Sequence, residues 1–201
     1  MVDSAAVRTP GHAVINLALL GAQVGPGGAG AILAGAVAPD IPIVILYVRE
    51  RWLRGTPEER IWADHYQRPF WQAVIHGAHS IPIGLAGLAV SLAAGAPGAA
   101  AFFASAALHA LFDLPVHAED AHRHFLPFSS YRYKSPLSYW DVRYHARYVA
   151  LAELALVLSA AVAVWPQGAL GRAALLLVGA WYGGDYIRTF LWRSAGDSPS
   201  S

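Results

Sequence analysis

The chain has 201 residues, of which 56% are hydrophobic and only 13% charged, with a formal net charge of +1 and a mean hydropathy of +0.39. Soluble domains carry about 25% charged residues, so this composition excludes an ordinary water-soluble domain and points to an integral membrane protein. The absence of cysteine removes disulfides, thiolate metal sites and cysteine nucleophiles. The basic residues form no aromatic-interleaved patch, so no nucleic-acid partner is expected.

In chain order, Arg8 and the apolar stretch from Ala13 to Leu20 mimic a signal peptide. Asp3 and Asn16 argue that the segment is retained. Two short apolar segments follow, at about 12–24 and 29–38, joined by GlyProGlyGlyAlaGly. Either they form a helical hairpin, or the second continues to residue 48 past Asp40 and Pro42. Residues 49–68 form a basic, polar loop in which Thr56 and Glu59 have capping-box spacing around Pro57. A short interfacial helix is predicted there, with Trp62, Tyr66, Phe70 and Trp71 suited to the headgroup zone.

Residues 69–112 contain no Asp, Glu, Lys or Arg, enough for two crossings of about 20 residues each. The turn GlyAlaProGly divides them into helices at about 70–94 and 98–114. A long loop rich in His, Tyr and Pro runs from Pro115 to about His145, before helices at about 146–165 and 169–190 joined by ProGlnGly. The expected fold is all-α: a polytopic transmembrane helix bundle with five or six apolar segments and a short interfacial helix. One membrane domain spans 1–193, and 194–201 reads as a disordered tail.

The hairpin arrangement puts loops 49–68 and 115–147, both termini and thirteen of the fourteen basic residues on one side, leaving Arg172 opposite. The positive-inside rule makes that side cytoplasmic, in a bacterial inner (plasma) membrane. In the same arrangement His12, Asp40, His76, His79, His109 and Asp113 all fall toward the cytoplasmic side, from four separate segments.

His109, Asp113 and His117 stand four residues apart, so a helix can place two imidazoles and a carboxylate along one slowly drifting stripe. Ionisable groups are costly in apolar surroundings unless paired, coordinated or hydrated. Pro115 can end the helix before His117, which makes His109 and Asp113 the firmer pair. His76 and His79 have i, i+3 spacing and add nitrogen donors suited to Zn²⁺, Mn²⁺ or Fe²⁺. The bland reading of these histidines is hydrogen bonding to carbonyls or to one another between helices. Asp40 is either a carboxylate ligand or base, or a cap, and His12 either a ligand or an interfacial histidine. The run from His117 to His124 is equally a metal tract or a solvated loop. Asp141, with His145 four residues on, is either a substrate-edge acid or an N-cap. Asp64 and His65 are expected to face water.

ProAsp at 39–40, HisSer at 79–80, and HisXXXAsp at 109–113 followed by ProPheSer at 127–129 resemble the pattern of the membrane-bound, predicted metal-dependent hydrolases of the LexA-regulated type. That family carries ProAspXAsp, ArgGlyXThrHisSer and HisXXLeuAsp elements, so the resemblance implies roles for Asp40, His79, His109 and Asp113. It runs from about His12 to Ser129. Pro42 stands at the second acid, the Arg before HisSer is missing, and Phe112 replaces Leu.

Together these readings give a membrane hydrolase of an ester or phosphoester, in a lipid or other amphiphile. Asp40, His76, His79, His109 and Asp113 would bind a divalent metal, Zn or Mn, and His12, His117 or Asp141 would shuttle protons. The alternative is a transporter or scaffold with a histidine-rich polar or structural metal site. Membrane lipid is the expected surrounding, and the Ala- and Gly-rich helices 29–38 and 84–101 are open to packing on a second copy or another membrane protein.

Overall fold

The computed structural model describes residues 9–139, 141–164 and 169–192, and among them every regular element is helical, with no strand. The tail at 194–201 and the ProGlnGly junction at 166–168 lie outside the described residues. Helix suits this sequence because a backbone in lipid must satisfy its own N–H and C=O groups.

Helix α1 (Thr9–Val24) ends at Gly25, whose φ of +67° is the left-handed conformation that glycine adopts without a Cβ penalty. After a 3₁₀ turn at Pro26–Gly28 the chain returns as α2 (Ala29–Val37). The second apolar segment does not stop at residue 38. It continues through a 3₁₀ turn (Ala38–Asp40), α3 (Ile41–Tyr47) and a π-helical turn (Val48–Leu53), making one apolar helix of 25 residues. Pro42 explains the 3₁₀ turn: it has no N–H for the carbonyl of Ala38, which the N–H of Ile41 takes instead.

The interfacial helix forms as α4 (Glu58–Arg60), running into a π-helical turn at Ile61–His65, but without the expected capping box. The Thr56 hydroxyl lies 3.4 Å from Oε2 of Glu50 instead. Glu50 is buried and also gathers Arg54 at 3.1 Å and His65 at 3.0 Å, so His65 packs inward rather than facing water.

Helices α5 (Pro69–Ala78) and α6 (Ile81–Ala93) meet at a 52° bend over His79 and Ser80. Pro82 sits in the first turn of α6, and Oγ of Ser80 accepts from the N–H of Ile83 at 3.2 Å, so the first helix stops and the second is newly capped. Helix α7 (Pro97–Asp113) begins at one proline and ends two residues before the next. Helices α8 (Ala146–Ala163) and α9 (Ala169–Tyr186) complete the bundle.

Among the described residues two helices, Ala29–Leu53 and Ala146–Ala163, are long and apolar enough to cross a membrane, and α5 with α6 makes a third if the bent pair is one span. Length and composition therefore support two or three crossings against the five or six apolar segments expected. Val90 and Leu92 of α6, and Leu151, Leu158 and Val162 of α8, face outward.

Helix α7 is the hub, packed against α1, α2 and α6, with α8 on α1 and α9 on α8. Small residues permit this closeness: a Cβ on Gly35 would stand 2.1 Å from the carbonyl oxygen of Phe102. Asn16, which interrupts the first apolar segment, donates to both the carbonyl and the hydroxyl of Ser105 at 2.9 Å. Ser105 in turn donates to the carbonyl of Ile32 at 2.7 Å, so one polar knot joins α1, α2 and α7.

Candidate metal centre

The donors converge because the helices carry them to one depth. From the Gly/Pro turns at 25–28 and 94–97, His12 lies 12 residues back along α1 (24 − 12), and Asp40 lies 11 along the second helix (40 − 29). His79 lies 14 residues back from Ala93 (93 − 79), and His109 lies 12 on from Pro97 (109 − 97). At about 1.5 Å per residue, all four stand roughly 16–21 Å from that end of the bundle.

There, Nε2 of His79 is 3.4 Å from Oδ1 of Asp40 and 3.6 Å from Oδ2 of Asp113. Nε2 of His109 is 3.6 Å from the same Asp40 oxygen and 3.2 Å from the same Asp113 oxygen. A tetrahedral ion with bonds of about 2.0–2.1 Å holds its donors about 3.3 Å apart, so four edges of this cage have the length that such an ion requires. Oδ2 of Asp40 accepts from the Thr9 hydroxyl at 2.6 Å, which leaves Oδ1 for the cage.

The imidazole tautomers follow from the outer contacts. Nδ1 of His79 meets the carbonyl of Ile75 at 2.9 Å, and Nδ1 of His109 meets the carbonyl of Ala36 at 2.7 Å. A carbonyl only accepts, so both Nδ1 atoms carry protons, and in the neutral rings both Nε2 atoms present lone pairs. Those Nε2 atoms are buried and make no hydrogen bond. Lone pairs aimed at carboxylate oxygens repel unless a cation lies between them, and a backbone carbonyl on the far nitrogen is how metal-bound histidines are held.

The site extends around this cage. Nε2 of His12 is 3.1 Å from Oδ1 of Asp113, and its ring stacks on His109 with centroids 4.1 Å apart. Three groups, namely His12, His109 and Asp113, then Asp40, His79 and His109, then His79, Asp113 and His122, each bring their donor atoms within 4.8 Å and could hold a metal ion.

His122 comes from the loop after α7, which folds back over the site. The N–H of Ser135 bonds the carbonyl of His117 at 2.9 Å, and the N–H of Ile81 bonds that of His124 at 3.0 Å. These ties bury His117, His122 and His124. The composition of the run, equally that of a metal tract or a solvated loop, is the signal that marks it in the sequence.

His76 stands one step behind, outside the three groups. Its Nδ1 lies 3.4 Å from the backbone N–H of Arg123, and its Nε2 lies 2.9 Å from Oε1 of Gln72 and 3.0 Å from a guanidinium nitrogen of Arg132. Arg132 donates to the same Gln72 oxygen at 2.7 Å, and Nε2 of Gln72 donates to the carbonyl of Tyr66 at 2.8 Å, which fixes the amide. Nδ1 of His122 lies 3.3 Å from Nδ1 of His76. His76 and His79 share a face, as their i, i+3 spacing predicts, since their rings meet His122 with centroids 5.4 and 4.0 Å apart, but the nitrogens of His76 are engaged by Gln72, Arg132, Arg123 and His122.

Asp141 is engaged elsewhere. It caps the 3₁₀ turn Val142–Tyr144 by accepting from the N–H of Arg143 at 2.9 Å, and it pairs with that guanidinium at 2.7 Å. His117 does reach the site, despite Pro115: its Nε2 is 3.7 Å from Oδ1 of Asp113 and its Nδ1 is 2.7 Å from Oδ2 of Asp120.

The loop groups titrate as this arrangement dictates. Burial works against a charge on His117, but the carboxylates of Asp113 and Asp120 outweigh it and push its pKa up to about 10. Burial, reinforced by His79 and His117, holds His122 well below the ordinary histidine range. Burial likewise brings His124 down to about 4. The Asp113 side thus attracts positive charge, while His122 and His124 stay neutral with lone pairs to offer.

A cavity of about 470 Å³ opens on the carboxylate side. His12, Asp40, His109, Asp113, His117 and His122 give it polar groups, and Ile15, Leu19, Ile43, Phe112, Val149 and Leu156 give it apolar walls, with Tyr139 and Glu153 among the other lining residues. Such a cavity accepts a molecule with a polar head and a hydrocarbon tail.

No family model, curated protein or solved structure matches this chain.

Proposed function

We propose that this protein is a membrane-embedded, metal-dependent hydrolase that cleaves an ester or phosphoester bond of an amphiphile. The observation that carries the reading is the cage of Asp40, His79, His109 and Asp113, with two imidazole lone pairs aimed at two carboxylates beside an apolar-walled cavity. A zinc or manganese ion bound there would polarise the scissile group and lower the pKa of an attacking water to near neutrality. The apolar walls orient the tail, which leaves the head against His12, Asp113 and His117. His12 and His117 each stand beside Oδ1 of Asp113, where that head would lie. The resemblance to the membrane-bound predicted metal-dependent hydrolases supports this reading, since the four cage residues are the four that its motifs imply.

In this reading α1, α7 and α9 also cross the bilayer, giving five or six crossings. Loops 49–68 and 115–147 then face the cytoplasm of a bacterial inner membrane, which would admit substrate from the surrounding lipid. Metal analysis of the purified chain, with Asp113→Ala and His109→Ala assayed on a phospholipid and phosphoester panel, tests the proposal. Loss of metal together with turnover supports it. Stoichiometric metal without turnover favours a structural site in a transporter or scaffold, and a wild-type chain without metal overturns it.

A further inference from the structure

Asp113 uses both edges of its carboxylate. Oδ2 belongs to the cage, facing His109 at 3.2 Å and His79 at 3.6 Å. Oδ1 points the other way, to Nε2 of His12 at 3.1 Å and Nε2 of His117 at 3.7 Å. Syn and anti lone pairs on two oxygens let one carboxylate serve two cations, which is how two-metal sites share a ligand.

The second edge has its own supporting structure. Nδ1 of His117 lies 2.7 Å from a carboxylate oxygen of Asp120, so it donates, and in the neutral ring Nε2 turns a lone pair toward Asp113. A carboxylate behind an imidazole raises its basicity and fixes its orientation, as in carboxylate–histidine–metal arrangements. His117 is 6% exposed and Asp113 5%, so water does little to screen the lone pair from the carboxylate. His12 comes from a different helix, is held in place by stacking on His109, and has no hydrogen-bond partner for its Nδ1. His12, Asp113 and His117 all line the cavity, whereas His79 does not.

We infer that Asp113 bridges two divalent cations: one in the buried cage, and a second on its Oδ1 side, held by His12 and His117. The inference rests on the metal reading of the cage and adds a separate position to it. Two imidazoles and one carboxylate oxygen leave the second ion's remaining positions open to the cavity, where an anionic oxygen of the amphiphile's head would bind. Asp120 is a positioning residue for that ion, acting through His117.

The test is metal stoichiometry of the full chain in detergent, titrated with Zn²⁺ and separately with Mn²⁺, with helicity checked by circular dichroism. The expected result is two ions per wild-type chain, with the Mn²⁺ form giving the spin-coupled signal of neighbouring ions. His117→Ala and the milder Asp120→Asn should each keep one tightly bound ion and lose the coupled signal, and Asp113→Asn should lose the coupling altogether. One ion in the wild type, or two retained in folded His117→Ala, overturns the second position while leaving the cage intact. No ion in the wild type overturns both.

Discussion

His109 donates its Nδ1 proton to the carbonyl of Ala36 at 2.7 Å, so the contact between α2 and α7 and the aim of a central imidazole are one feature. The residue before that carbonyl, Gly35, sets how closely the helices approach. Gly35→Ala forces them apart and is expected to cost about 1–3 kcal/mol of stability and to weaken metal binding together. Gly183→Ala, whose added Cβ meets nothing within 4 Å, should do neither. Thermal midpoints and metal titrations on the two variants check this, and a stable, metal-competent Gly35→Ala would contradict it.

Metal and fold should be coupled. Four donors from three segments place like-charged carboxylates and unpaired lone pairs together, so removing a bound ion with a chelator should lower the thermal midpoint of the wild type. The same treatment should leave Asp113→Ala unchanged. Equal chelator sensitivity in both proteins would disconnect the cage from stability.

The chain from Tyr66 through Gln72 and His76 to His122 makes a prediction at a distance. Gln72→Leu removes the oxygen that both Nε2 of His76 and the Arg132 guanidinium meet, and is expected to weaken metal binding by about 10–100-fold. Gln72→Glu keeps that acceptor and should restore most of the affinity. A Co²⁺-loaded sample reads the change as a shift in its visible ligand-field bands, which simple loosening of the helix would not produce in the same pattern.

Acid acts first on the loop. Lys134 and the Tyr144 hydroxyl both donate to Glu119 and hold its carboxyl below the usual glutamate range. A depressed folded pKa means that the stabilisation is present above the unfolded value near 4.5 and is lost as pH falls through the folded value. Melting curves of wild type and Glu119→Gln should therefore converge at low pH and differ slightly near neutrality, the difference fading at high salt because the group is exposed. A gap that widens with acid would reverse the sign.

Orientation is open to direct labelling, since the chain has no cysteine to interfere. Phe128→Cys in the exposed loop and Ala94→Cys at the opposite turn should react with an impermeant maleimide from opposite faces of oriented membranes. Reaction of both from one face would refute the arrangement of the crossings.

Much of the cage was legible in the sequence. Asp40, His79, His109 and Asp113 stand out because an ionisable residue in an apolar run needs a reason to be there, and helix rise fixes their common depth. The continuation of the second helix past Pro42 was not legible, since a proline can equally end a helix or be absorbed by one 3₁₀ turn. His122 was hidden because loop residues have no periodicity, and its position depends on long-range bonds such as that from Ser135 to the carbonyl of His117. His76 shared the spacing of a ligand, but contacts with Gln72, Arg123 and Arg132 engage its ring nitrogens and make it a support.

The cage also bears on how the protein is made. The cage needs residue 40 and residue 113, so its donors meet only after the ribosome has delivered α7. A metal ion held there would thus be captured late in biosynthesis, and would mark a chain whose first four apolar segments have already found one another.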